Sequence, residues 1–558
     1  MMKDRSTGPR LNASAFLLAI SAAAFIFSAA FSALAPCGTW NNVLFGVPMW
    51  TEADPAGYYL VSAHELYAFH GKHLYPGHPG LTLQILLHAL QAAYYALRAP
   101  GGLGFTAFIA KNFTQVFVLS KLLATGLHLM TFVLMYRFAL SLLRRERAAL
   151  LAALGYATSL PVVFYLSRVS VEPLMIIFFL AAFLCSWRSL DETKRPRRAA
   201  LWAAAAGALS VAGLVTKFHL LWPLPAACLG QLLFGDALPW KRAAAGMRAR
   251  RDAALAFSAA ALAALALSSA LMDWRDFFAY WDVGGMDHGT IGSGLAGLIA
   301  IQIDVLKAIV RGAAAMPASL WLPGATRSGV YLLCELPLLL VAAAGAFRLF
   351  RAGGERAGRW FWLASAAAYT VLIWAYRCFG VSHDFHGFHY LFVFTTLAAV
   401  LFGAASDAIF ERRRWEPAAQ AAAIVLWIAL IHALTLKGVF DSRLQDAVLY
   451  RRVRAFGSAL ASAPDRDRVA LIGIDPETAV GLSGLAILRE TPPMRSALLE
   501  EMASDYVKVD RAELERLTTR PAADERPVGS VVAIGVVDGV PSAVGPYPPD
   551  RWLAAFPR

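Results

Sequence analysis

Between Thr51 and Gly80 the chain reads TEADPAGYYLVSAHELYAFHGKHLYPGHPG. Glu52 and Asp54 open the stretch, Tyr58 and Tyr59 follow, and His64, His70, Lys72, His73 and His78 fill the rest. A carboxylate can take a proton from an attacking hydroxyl, a role that contributes about 10²–10⁴ in rate. Lysine meets phosphate as a compact charge, and histidine can bind either a metal or an anion. Asp54 is the carboxylate best placed to act as a base. Asp54 followed by Pro55, with Gly71 closing an amphipathic run, is also a helix start: Asp as N-cap, Pro at the first position, Gly at the end. The two roles are compatible, because an N-cap side chain sits at a loop edge that a substrate can reach.

Further chemistry-bearing residues follow. Glu172 and Arg168 stand in SRVSVEPLM, and Lys217 stands in GLVTKFHLLWP. Each falls at the end of an apolar run, where half-buried charge is expensive and points to function. His383, Asp384, His386 and His389 share the short segment HDFHGFH, which can hold a metal or a phosphate. Ten of the twelve histidines fall between apolar runs or at one set of their ends, and only His128 and His432 lie inside runs. A polar substitute for Lys and Arg in external loops accounts for any one of them, but less well for the cluster.

The elements that must position these groups are membrane spans. The chain has 558 residues, 58% of them hydrophobic and 16% charged, with mean hydropathy +0.53. A soluble protein of this length needs more polar surface. The net charge of +13 is not gathered into a patch or motif, so nucleic acid is not an expected partner. The five cysteines show no metal spacing, and no disulfide framework is expected. Met1–Arg10 is basic and precedes Ala13–Ala35, too long for a signal h-region, so an uncleaved first span is expected.

Spans are expected near 13–35, 113–141, 148–167, 171–187, 199–216, 218–235, 253–272, 329–349, 360–378, 390–410 and 417–437, about eleven in all. Their alternation puts every dense basic turn on one side: Arg144, Arg145 and Arg147; Lys194 to Arg198; Lys241 to Arg251; Arg351 to Arg359; and Arg412 to Arg414. The positive-inside rule makes that side, and the N-terminus, cytoplasmic. Loops 36–112, 273–328 and 379–389 are then external. The run 79–98 fits a helix along the outer interface better than a span, with Tyr94 and Tyr95 at headgroup level. Residues 1–437 thus form a transmembrane domain. Residues 438–558 change character, with strand-like RVALIGI, DYVKVD and VVAIGVV between helical stretches, and read as a small extracytoplasmic α/β domain.

These motifs in this order resemble the GT-C glycosyltransferases, most closely the family 39 type of protein O-mannosyltransferases and lipid A aminoarabinose transferases. Asp54 takes the position of the family's first-loop Asp, with Tyr58 four residues on, and His78, Pro79 and Gly80 stand where HPP-like residues are expected. SRVSVEPLM resembles the segment opening the fourth span, AGLVTKFHLLWPLP makes Lys217 the family-like lysine, and FHYLFVFTTLAAVLFG puts His389 in the later basic position. Two positions depart: Pro55 replaces the second acidic residue, leaving Glu52 as a displaced substitute, and His389 replaces an arginine.

The resemblance implies an enzyme; the Ala- and Arg-rich composition, with no eukaryotic sorting signal, points to a bacterial inner membrane, and the span register makes the C-terminal domain periplasmic. The enzyme would move a sugar, as a hexosyl or pentosyl group, from a polyprenyl-phosphate donor to a glycolipid, polysaccharide or protein acceptor, with inversion. Asp54 would be the base. Lys217, Lys72, Arg168 and His389 would bind the donor phosphate. Glu52, Tyr58, Tyr59, His78, Glu172, His383, Asp384 and His386 would line the substrate site. The chemistry requires no cofactor; Glu52, His78 and His386 are the candidate ligands for a divalent metal ion. Membrane lipids are the surrounding partners. A lipid flippase or exporter and an inert GT-C-like scaffold are the competing readings.

Overall fold

The computed structural model describes residues 13–34, 40–42, 47–49, most of 80–236, 250–272, 357–376 and 392–413, the strands beyond residue 467, and isolated positions including Tyr59, Leu60, Ala63, His64 and Leu66. The expected spans at 329–349 and 417–437, apart from single positions, and the loops at 273–328 and 379–389 lie outside the described residues.

Helix α1 spans Ala13–Leu34, and an antiparallel ribbon follows, β1 (Trp40–Asn42) against β2 (Val47–Met49). Next come α2 (Leu81–Arg98), the short α3 (Phe105–Lys111) and α4 (Phe113–Leu143). Glu146–Ala157 is α5, Leu160–Tyr165 is α6, Glu172–Asp191 is α7 and Pro196–Thr216 is α8. Pro223–Phe234 forms α9, Arg251–Leu271 α10, Ala357–Tyr376 α11 and Phe392–Arg413 α12. Strands β3 (Arg468–Ile472), β4 (Tyr506–Lys508), β5 (Val528–Val537) and β6 (Val540–Tyr547) complete the chain.

Among the described residues, six helices are long and apolar enough to cross a membrane: those carrying Ala13–Leu34, Gln115–Leu143, Glu172–Asp191, Pro196–Thr216, Arg251–Leu271 and Phe392–Glu411. Large aliphatic side chains stand outward on them, Leu18 at 71% exposure and Leu267 at 70%. An outward apolar surface of that extent needs hydrocarbon around it. The protein is a polytopic α-helical membrane protein.

Two expected spans differ in detail. The run at 148–167 is broken: α5 ends at Ala157, Ser159 turns extended, and α6 restarts with Pro161 in its first turn. A continuous helix would drive the Pro161 ring into the carbonyl four residues back. The hydroxyls take up the loose ends instead, Thr158 Oγ1 donating to Leu154 O at 2.8 Å and Ser159 Oγ to Tyr156 O at 2.7 Å. In the run at 218–235 the 12-residue α9 covers Pro223–Phe234, Leu221 is also helical, and residues 218–220 lie outside the described residues.

The chain divides into two compact units. One comprises Met1–Ser28, Pro76–Leu83 and Leu123–Gly438; the other comprises Ala29–Tyr75, Gln84–Leu122 and Val439–Arg558. In the first, α8 packs between α7 and α10, α5 against α12, and α9 against α7, α8 and α11. Small residues permit the closest approaches, as is usual where helices associate in lipid. A side chain at Gly403 would overlap the backbone of Ala148 and Ala152, so α12 and α5 touch backbone to backbone there.

In α2 the buried face carries Leu81, Leu83 and Leu87 together with polar side chains. The helix buries Gln84 and Gln91 while Leu97 is 82% exposed and Ile85 and Leu86 also face outward. Tyr94 and Tyr95 are half-buried. Their rings pack on Phe108 and, for Tyr95, also on Phe105, and Tyr95 Oη donates to Leu103 O at 2.8 Å. The C-terminal strands form one sheet in the order β4-β3-β5-β6, with β3 parallel to β4 and β5, and β6 antiparallel to β5. Parallel pairing requires crossover connections, so these strands are not a simple meander.

Candidate functional site

Helices α7 and α8 form an antiparallel pair, and their shared end brings two of the sequence-derived residues together. Glu172 is the first residue of α7, followed at once by Pro173. Lys217 caps α8 in a non-helical conformation, φ −149° and ψ 79°. Lys217 Nζ lies 3.3 Å from Glu172 Oε1, with the side chains only 6% and 3% exposed. Each charge sits at the helix end that favours it, the carboxylate at an N-terminus and the ammonium at a C-terminus.

A third motif joins them. Gly80, in a left-handed conformation at φ 38°, donates its backbone N–H to Thr216 O at 3.1 Å. Thr216 Oγ1 donates to Ala212 O at 2.6 Å, so at the 2.6 Å contact between the two hydroxyls it is Thr82 that donates to Thr216. The chain immediately after the HPG motif is therefore strapped to the residue before Lys217. Glycine suits this place, since a positive φ costs other residues about 1–2 kcal/mol.

The segment leading into α7 completes this corner. Leu166 to Val171 is non-helical yet buried throughout, including Ser167, Arg168 and Ser170. Arg168 N–H donates to Tyr165 O at 2.9 Å, and its guanidinium lies 4.5 Å from the centre of the Phe164 ring. Leu166 O accepts from Thr125 Oγ1 at 3.2 Å, and Ser28 Oγ meets Thr125 Oγ1 at 2.5 Å, tying the segment to α4 and α1. Among the described residues, Ser167 Oγ, Ser170 Oγ and Glu172 Oε2 are buried without a hydrogen-bond partner. Such atoms cost about 1–3 kcal/mol each if left unpaired, and three of them fall within six residues of chain here.

The opposite end of the same helices is charged in a different manner. The buried Arg359 of α11 donates from Nε to Asp236 Oδ1 at 2.7 Å and from Nη2 to Asp191 Oδ1 at 2.8 Å, with its guanidinium 5.5 Å from the Trp187 ring centre. Arg145 pairs with Glu411 at 2.6 Å and with Asp407 at 3.2 Å, and Arg147 also pairs with Asp407. Those hydrogen bonds, Glu411 first, raise the Arg145 pKa further above its ordinary value.

Among the sequence-derived site residues, Lys217, Glu172, Arg168 and Tyr59 are described. Tyr59 is fully buried in a helical stretch of the second unit. Asp54, Glu52, Tyr58, Lys72, His78, His383, Asp384, His386 and His389 lie outside the described residues. Near Tyr59 in sequence, His64 stacks on Phe105 with ring centres 5.3 Å apart and contacts Thr106 Oγ1 through Nε2 at 3.2 Å. Burial, with the charge of His88 second, pushes its pKa down to about 4, so His64 is neutral at pH 7 and no cation for a phosphate. Among the described residues, no three His, Cys, Asp or Glu side chains gather to hold a metal ion. Sequence reasoning missed Thr216, Ser167 and Ser170; Ser167 and Ser170 had only their position in SRVSVE to betray them.

No protein-family model matches the chain, and no curated protein does. Among solved structures it is similar to the oligosaccharyltransferase of Archaeoglobus fulgidus in its apo form, at 14% identity and a TM-score of 0.39. That likeness covers 88% of this chain and 60% of the other, so the chain spans less than two thirds of that protein's length. It is also similar to ArnT from Cupriavidus metallidurans bound to undecaprenyl phosphate, at 12% identity and a TM-score of 0.39, covering 97% of this chain and 94% of that one. Likenesses at this level decide nothing about the chemistry here, which rests on the residues themselves.

Proposed function

We propose that the chain is an integral-membrane glycosyltransferase that moves a hexosyl or pentosyl group from a polyprenyl-phosphate donor to an extracytoplasmic acceptor. The observation that carries this reading is the buried Lys217–Glu172 corner, with the HPG strap and the unsatisfied 167–172 segment around it. It lies at the helix ends opposite the basic turns, which the positive-inside rule assigns to the cytoplasm. A cation there meets a lipid phosphate held at the outer leaflet and stabilises the charge left on it as the glycosidic bond breaks.

In this mechanism the acceptor hydroxyl attacks the anomeric carbon while Asp54 takes its proton. The bond to the phosphate oxygen breaks with its electron pair going to the phosphate, and a single displacement inverts the anomeric centre. Lys217 and Arg168, with Lys72 and His389, receive the phosphate. Glu52, Tyr58, Tyr59, His78, His383, Asp384 and His386 complete the substrate site. The membrane is the inner one of a bacterium, the N-terminus is cytoplasmic, and residues 438–558 form a periplasmic domain beside the transmembrane domain of residues 1–437.

The test is mass spectrometry of envelope glycolipids and glycans from a deletion strain complemented with wild type or with Asp54→Asn at matched protein levels. One sugar mass should vanish on deletion and return only with wild type. An unchanged glycan profile on deletion sinks the transferase reading; full rescue by Asp54→Asn reduces Asp54 to a helix cap.

A further inference from the structure

We propose that Glu172 is a stand-in anion. Its carboxylate holds the Lys217 ammonium until a lipid-linked phosphate takes its place, and Ser167 and Ser170 then meet the incoming head group. The inference rests on the donor-phosphate role of Lys217.

The pair is half-made. Its 3.3 Å separation is long beside the usual 2.7–2.9 Å of a charge-assisted bond, and Glu172 Oε2 has no hydrogen-bond partner among the described residues. A buried ion pair that serves only stability needs good geometry and every remaining lone pair satisfied. Helix-end electrostatics explains why a carboxylate opens α7 and an ammonium closes α8. It does not explain why half of that carboxylate is left bare within six residues of two bare serine hydroxyls along the chain.

A phosphate supplies what the corner lacks. Its oxygens accept from the ammonium and from serine hydroxyls. The sugar-bearing donor is a phosphodiester with one charge, like the carboxylate, and the lipid phosphate left after transfer is a monoester with about −1.5 to −2 charges at pH 7. The donor therefore displaces a single long carboxylate contact through its added serine hydrogen bonds, and the bare lipid phosphate does so through its extra charge as well. Glu172, once displaced, accepts only, so it needs a donor; the hydroxyls of a sugar next to the phosphate are donors of the right kind. The exchange makes and breaks no covalent bond. Until the phosphate arrives, the carboxylate holds the Lys217 ammonium in place.

The experiment is titration of the purified full chain in lipid nanodiscs with undecaprenyl phosphate, and separately with inorganic phosphate. Wild type, Glu172→Gln, Glu172→Asp, Ser170→Ala and Lys217→Met are compared, with thermal unfolding recorded for each. Removing the resident anion should tighten lipid binding roughly tenfold in Glu172→Gln, the worth of one hydrogen bond to a charged group. Glu172→Asp, which keeps the charge but withdraws it, should fall between Glu172→Gln and wild type. Ser170→Ala should bind several-fold more weakly, and Lys217→Met more than tenfold more weakly.

Wild-type or weaker affinity in both Glu172 variants, with Lys217→Met impaired, overturns the exchange and leaves the phosphate role of Lys217 intact. Undiminished binding in Lys217→Met overturns that role itself. Inorganic phosphate binding as tightly as the lipid overturns the assignment to a lipid-linked phosphate.

Discussion

The two ends of the helical unit use charge in opposite ways. At one end Arg359 is held by two aspartates, and Arg145 and Arg147 share Asp407, with Glu411 joining Arg145. At the other end a single lysine meets one oxygen of a single glutamate, and the second oxygen has no partner among the described residues. The acids on Arg359 are also partly open, Asp191 at 47% and Asp236 at 39% exposure, whereas Lys217 and Glu172 are almost wholly enclosed. A multiply paired arginine with solvated partners behaves as a clasp. A dry, singly paired lysine has ammonium donors to spare. Chain geometry keeps the two apart: the 20 residues of α7 extend about 30 Å from Glu172 to Asp191.

The comparison predicts its largest contrast at Lys217. Lys217→Met should lower transfer by about 10²–10³, as expected for a lost electrostatic contact to the leaving group. It also strands Glu172 in a dry site, so stability should fall by about 3–5 kcal/mol. The double variant Lys217→Met/Glu172→Gln should recover most of that stability and none of the activity. Thermal unfolding and glycan mass spectrometry read the two effects separately. Recovery of activity in the double variant would make the pair a clasp like those at the other end.

At the clasped end the balance reverses. Arg359→Gln removes two ion pairs and leaves Asp191 and Asp236 to water, so the expected loss is about 1–3 kcal/mol of stability. Transfer per folded molecule should stay within about twofold, since the residue lies roughly 30 Å of helix from the site. A tenfold loss of activity at full folding would show that the ends are coupled and would break the comparison.

Asp407→Asn sharpens it further. Asp407 is nearly buried, but Arg145 and Arg147 are 58% and 37% exposed and return to solvent when the carboxylate goes. The cost should be about 1 kcal/mol or less and should shrink as salt is added, because solvent-exposed charges are screened. Unfolding of the wild type and the variant at low and high ionic strength measures it; a salt-independent loss would place the Asp407 network in the same dry regime as Lys217.

Much of this was legible in the sequence, for reasons that also explain the misses. Glu172 and Lys217 stood out as charges at the ends of apolar runs, because membrane depth makes such residues rare. That they pair with each other was not legible, since 45 residues separate them and the antiparallel packing of α7 on α8 decides the contact. The same holds for Gly80 on Thr216. The contacts of Arg359 with Asp191 and Asp236 join three of the basic turns. The acids were overlooked because a rule that counts Lys and Arg gives Asp and Glu no weight. The break at Thr158–Ser159 was hidden by an apolar run that continues through it, though Pro161 marked it. The strands at Arg468–Ile472 and Val528–Val537 were visible as β-branched runs, whereas their parallel pairing depends on connections that no short pattern encodes.

The smallest expected effect tests how firmly the clasped end is held. Arg144 follows the last residue of α4 with φ 57°, a left-handed conformation that favours glycine at the close of a helix. Its backbone N–H still donates to Leu140 O at 2.9 Å, so the strained residue completes the final turn. The neighbouring Arg145 and Arg147 are fastened to Asp407, which fixes the turn tightly enough to hold Arg144 in place. Arg144→Gly should therefore raise stability by about 0.5–1 kcal/mol relative to Arg144→Ala, which keeps the strain and loses the same charge. Comparing those two variants cancels the loss of charge and leaves the backbone term alone. Equal thermal unfolding would mean that the turn relaxes freely, and the ion pairs at this end would then not be the clasp that the comparison makes them.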